Sequence, residues 1–140
     1  MTENGSPPLS PDSPPPDAAA TADALAATAA AEERQRQADA EVLTERGTDL
    51  CRKARWRDAI EPLKRATELA PNSGLAFYYL GEAYNHTDQL PVALLAFEAA
   101  SRLLTDNWRA LKGVGIVLDR MRRPQEAAAA YQKARDAHRR

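Results

Sequence analysis

Three glycines, Gly47, Gly81 and Gly115, stand 34 residues apart in this 140-residue chain. The spacing is not confined to glycine. Four residues before them stand Leu43, Phe77 and Leu111, and three after them Leu50, Tyr84 and Leu118. Twelve after come Ala59, Ala93 and Ala127; sixteen after, Leu63, Phe97 and Tyr131; nineteen after, Ala66, Ala100 and Ala134. A register held through three units restricts the chain to architectures that stack one short supersecondary element on copies of itself.

The offsets identify that element. Positions −4, 0 and +3 fall on one face of a first helix, and +12, +16 and +19 on one face of a second. Glycine and alanine sit where backbones approach closely, and the large residues fill the remaining volume. Pro91 and Pro124 fall at the starts of the second helices of units two and three, where a missing N–H costs nothing. Pro71 ends the second helix of unit one. Pro62 falls inside that helix and predicts one lost hydrogen bond.

Upstream of the repeats the composition changes twice. Six of the ten prolines lie in residues 7–16, which reads as a disordered Pro-rich tail over 1–16. Residues 17–39 read as an Ala-rich helix or linker, with Asp17 as its N-cap. Residues 40–140 then divide into repeats at 40–73, 74–107 and 108–140. Charge is also uneven. The net charge is −1, which argues against nucleic acid as a partner, yet residues 1–33 carry Glu3, Asp12, Asp17, Asp23, Glu32 and Glu33 and no Lys or Arg. The single cysteine, Cys51, excludes an internal disulfide. The N-terminal stretch has no secretory signal pattern, and the alanine-rich segment is too weakly apolar to span a membrane, so a cytoplasmic location is expected.

The 34-residue helix–turn–helix pattern with small residues at fixed places resembles the tetratricopeptide repeat (TPR), over residues 40–140. The chain departs from it at Arg46, where a large apolar residue is usual, and at Thr105 and Arg139, which follow units two and three where Pro71 follows the first. The resemblance implies an all-α solenoid, a right-handed superhelix whose first helices line a concave groove. It places Leu75, Tyr78, Tyr79, Glu82 and Asn85 of unit two in that groove. The corresponding positions are Glu41, Thr44, Glu45, Thr48 and Cys51 in unit one, and Arg109, Lys112, Gly113, Ile116 and Asp119 in unit three, with Arg120 beside them. Such a groove runs from an acidic, hydroxylated end through an aromatic centre to a basic end, and suits an acidic or aromatic segment of another protein. Either Tyr78 or Tyr79 could instead cover the neighbouring unit.

One use of the family can be tested by position. TPR co-chaperones that grip chaperone C-termini with a two-carboxylate clamp need cations and amides where this chain has Thr44, Thr48, Tyr79, Arg109 and Gly113. Only the charge at Arg109 survives, so that role is not expected. No catalytic, cofactor or metal motif stands out. Cys51 and His86 are the one conceivable nucleophile–base pair, and Cys51 reads better as a packing residue. "GVG" at 113–115 lacks the strand-to-helix context of a phosphate loop. The basic residues Arg120, Arg122, Arg123, Lys133, Arg135, Arg139 and Arg140 could touch nucleic acid or an acidic protein, but read better as a solvated last helix pair. The expectation is a non-enzymatic protein-binding module, an adaptor, scaffold or chaperone. The alternative is a scaffold that self-assembles into homo-oligomers through the ends of its repeat stack.

Overall fold

A computed structural model of the chain describes Gly5, Pro11 and residues 17–140. The Pro-rich tail expected over 1–16 therefore lies almost wholly outside the described residues. Among those described, every regular element is an α-helix: α1 (Ala18–Arg52), α2 (Trp56–Leu69), α3 (Gly74–His86), α4 (Leu90–Leu103), α5 (Trp108–Arg120) and α6 (Pro124–His138). The chain forms two compact units, Met1–Arg34 and Gln35–Arg140. Within the first, residues 19–34 of α1 are exposed on every face. Alanine-rich composition sustains such a helix without tertiary support better than any other composition does. α1 crosses residue 40 without a break.

The second unit holds the repeats. α3 packs against α2 and α4, and α5 against α4 and α6. The repeat offsets become contacts. A Cβ added to Gly47 would lie 2.3 Å from Leu63, one on Gly81 2.8 Å from Phe97, and one on Gly115 2.7 Å from Tyr131. Each glycine thus seats the large residue sixteen positions downstream in its own unit. Phe97 is covered from both sides, because a Cβ on Gly113 of α5 would also come within 2.7 Å of its ring. It is fully buried, as are Leu63 and the alanines Ala59, Ala66, Ala93 and Ala100.

The turns repeat as faithfully as the helices. Ala54, Asp88 and Arg122 all adopt left-handed backbone, with φ of 57°, 61° and 61°. The following residue in each case donates its N–H five residues back, Arg55 to Leu50, Gln89 to Tyr84 and Arg123 to Leu118, all at 2.9 Å. This 6→1 bond is the signature of a helix stop that reverses the chain tightly enough for the two helices to pack. Elsewhere local chemistry sets the ends. The Ser73 hydroxyl caps α3 by accepting from the Ala76 N–H at 3.3 Å. Prolines sit in the first turns of α4 and α6. α2 remains continuous through Pro62, which can offer no N–H to the Asp58 carbonyl.

Candidate functional site

Three clefts follow one another along α1, α3 and α5. The first, about 580 Å³, includes Glu41, Thr44, Glu45, Thr48, Arg52 and Leu75 in its walls. The second, about 390 Å³, shares Arg52 and Leu75 with it and adds Cys51, Trp56, Tyr78, Tyr79, Glu82 and Arg109. The third, about 240 Å³, continues from Tyr78, Glu82 and Arg109 to Lys112, Gly113 and Ile116. The shared residues make the three continuous.

The residues at the centre are built in from the core outward. Tyr78 packs on the cluster around Phe97, and its ring lies 5.9 Å from that of Phe97. Tyr79 packs on the cluster of Leu63, Leu80 and Ala83. The two rings meet edge to face, with centroids 5.1 Å apart. Each tyrosine therefore covers a neighbouring helix and also lines the second cleft, so the choice between packing and groove is not exclusive. Leu75, at the junction of the first two clefts, is 50% exposed.

Glu82 sits below them. Burial raises its carboxyl above the usual carboxylate range, while nearby His86, Tyr78 and Lys112 favour the charged form. Burial, with the Glu82 charge beside it, pushes the Tyr78 hydroxyl up to about 12. A proton donor and a carboxylate of dampened acidity thus stand in one half-buried place, flanked by the cations Arg109 and Lys112.

Not every residue assigned to the groove from sequence presents itself there. Arg120 is held at the turn of unit two. Its guanidinium donates to the Asn85 carbonyl at 2.5 Å and the Asn85 side-chain oxygen at 2.7 Å, and it pairs with Asp88. Arg120 and Asn85 line none of the three clefts; they clasp unit three to the turn of unit two. Thr44 and Thr48 do line the first cleft but are buried. The Thr44 hydroxyl donates back to the Ala40 carbonyl at 2.7 Å, whereas Thr48 Oγ1 is, among the described residues, the one buried side-chain oxygen or nitrogen with no hydrogen-bond partner. Gly113 is a seat for Phe97 before it is a groove position. The clefts also contain residues that the repeat offsets did not mark. Trp56 and Arg52 line the second cleft, and Trp108 the third. The indoles at 56 and 108 were visible as the chain's two tryptophans, but their positions lie outside the helix register.

Cys51 and His86, the conceivable nucleophile–base pair, each make other contacts, Cys51 with the Tyr79 carbonyl and His86 with Trp56. Burial raises the Cys51 thiol to about 11, with Glu82 adding to the shift, so the sulfur is un-ionised at neutral pH. His86 stacks on Trp56, ring centroids 3.9 Å apart and nearly parallel, with Glu82 at 3.6 Å. Among the described residues no group of three His, Cys, Asp or Glu could hold a metal ion. None of the described helices is long and apolar enough to cross a membrane.

Helix pairs repeating every 34 residues, each stopped by the same left-handed turn and seated on the same glycine, define a tetratricopeptide-repeat fold. Solved structures agree. The chain is similar to residues 41 to the end of MamA from Desulfovibrio magneticus RS-1, at 25% identity and a TM-score of 0.64, over 69% of this chain and 55% of that one. It is similar to the Arabidopsis OM64 TPR domain, at 20% identity and a TM-score of 0.67, over 71% of this chain and 82% of that domain. It is likewise similar to the first TPR of Spaghetti (RPAP3), solved with the HSP90 peptide SRMEEVD, at 19% identity and a TM-score of 0.68, over 72% and 80%. The chain spans little more than half of that MamA structure. No protein-family model and no curated protein matches the sequence.

Proposed function

We propose that this chain is a protein-interaction module that binds a segment of another protein along the clefts of α1, α3 and α5, through its repeats at 40–73, 74–107 and 108–140. The observation that carries the reading is the continuity of the three clefts through Leu75, Tyr78, Glu82 and Arg109. A large apolar and aromatic surface with few rotamers to freeze gives contact area at low entropic cost. The proposed occupant places an apolar or aromatic side chain against Leu75, Tyr78 and Tyr79, and acidic groups near Arg109 and Lys112. Glu41 and Glu45 set the opposite charge at the other end, and the unpartnered Thr48 hydroxyl offers a hydrogen bond there. Thr44 and Ile116 complete the walls. A structural neighbour that holds a peptide, the first TPR of Spaghetti (RPAP3) with SRMEEVD, supports the mode of binding but not the sequence bound. Thr44, Thr48, Tyr79 and Gly113 leave the two-carboxylate clamp without its amides and second cation, so recognition of a free C-terminus is not part of the proposal.

The test is selection of peptides by the full chain from a displayed random library, followed by titration of the winners. Enriched sequences should pair an apolar or aromatic residue with acids, and should lose affinity with Leu75→Asp and with Arg109→Glu. Winners that bind both variants as they bind the parent would refute the assignment.

A further inference from the structure

The repeat junctions show how each large core residue is covered. Leu63 is seated on Gly47 and shares its cluster with Tyr79 of the following α3. Phe97 is seated on Gly81 and covered by Gly113 of the following α5. Tyr131 holds the same repeat position in unit three and is seated on Gly115. Beside Tyr131 lies a cleft of about 270 Å³, lined by Trp108, Lys112, Tyr131, Ala134, Arg135 and His138. Moved back one repeat, Tyr131 and Ala134 become Phe97 and Ala100, which are fully buried. The cleft is thus shaped as the seat of one more helix.

We infer that this cleft receives residues 18–34 of α1 from a second copy of the chain, in a head-to-tail assembly. The shapes match. The helix that covers Phe97 presents Ala110, Gly113, Val114 and Val117, all buried, with a small residue immediately before a larger apolar one. In α1, Thr21, Ala24, Leu25 and Thr28 repeat that arrangement at the same spacing. Leu25 is 67% exposed where it stands. The Thr28 hydroxyl is already spent on the Ala24 carbonyl at 2.9 Å, the same internal bond with which Thr44 is buried over Ala40.

The charges are complementary as well. Lys112 and Arg135 border the cleft, and Arg139 and Arg140 follow it in sequence. Residues 18–34 carry Asp23, Glu32 and Glu33 against a single base, Arg34. The contact is heterologous. Each added copy leaves one helix and one cleft unused, so chains grow end to end instead of closing as a dimer.

Sedimentation velocity on the full chain over a concentration series tests this. The expected result is a weight-average mass that rises with concentration and falls as salt screens the charges. Leu25→Asp removes the helix anchor, and the pair Arg135→Glu with His138→Glu reverses the cleft charge; all three positions are exposed, and circular dichroism confirms retained helix. Each variant alone should be monomeric. Mixed, they should form a one-to-one pair and nothing larger, because only one intact helix and one intact cleft remain. A wild type that stays monomeric throughout, a Leu25→Asp protein that assembles like wild type, or a mixture that fails to pair would overturn the inference.

Discussion

Replacing Gly81 with alanine sets two known effects against each other. Alanine in mid-helix gains roughly 1 kcal/mol over glycine, from backbone entropy. Against that, the new methyl carbon would lie 2.8 Å from Phe97 Cδ1 and 2.9 Å from both Cε1 and Cγ. The ring cannot retreat, because it is fully buried and Gly113 closes its other side. Overpacking of a closed site costs about 1–3 kcal/mol, and this site belongs at the upper end. The net expectation is a loss of about 2 kcal/mol, or a fall in Tm on the order of 10 °C for a domain of this size. Gly115→Ala is the internal control. Its methyl meets Tyr131 at a similar 2.7 Å, but Tyr131 is only partly buried and borders an open cleft, so the ring can shift. That variant should stay within about 1 kcal/mol of wild type. Urea unfolding with matched m-values gives both numbers. The reasoning fails if Gly81→Ala is as stable as wild type, or if the two variants lose equally.

Other consequences follow from the turns and the groove. Ala54→Gly and Arg122→Gly should each stabilise by about 0.5–1 kcal/mol in thermal unfolding, since left-handed backbone strains a side chain and glycine's looser unfolded chain offsets only part of the gain. Glu82 has a raised folded pKa, so the folded state holds its proton more tightly than the unfolded state. Its contribution is favourable at low pH and is lost as pH rises from the unfolded value through the folded one; Glu82→Gln should flatten the stability–pH curve in that window. Cys51, with its thiol raised to about 11, should react with a thiol reagent at pH 8 far more slowly in the folded protein than in urea.

The repeat was legible in the sequence because packing forces small and large residues to recur at one period; that glycines 47, 81 and 115 seat residues 63, 97 and 131 appears only in the structure. The stops between helices were not legible. Their left-handed positions hold Ala54, Asp88 and Arg122, none of them the glycine that marks such a turn. Nor was the clasp of Arg120 on Asn85 and Asp88, which joins residues more than thirty positions apart through side chains that periodicity says nothing about. Tyr79 was placed in the groove by the resemblance, from its helical angle opposite Gly81. A ring that large spans both the groove and the neighbouring helix, so the angle could not separate its two contacts.

The central claim is that a protein segment binds along α1, α3 and α5. Amide chemical-shift mapping during titration with a selected peptide tests it most directly. The account predicts the largest changes at Leu75, Tyr78, Tyr79 and Glu82 in α3 and at Arg109 and Lys112 in α5, with the exposed face of α4 around Leu95 unmoved. Changes centred on Leu95 and α4, with α3 and α5 silent, would contradict it.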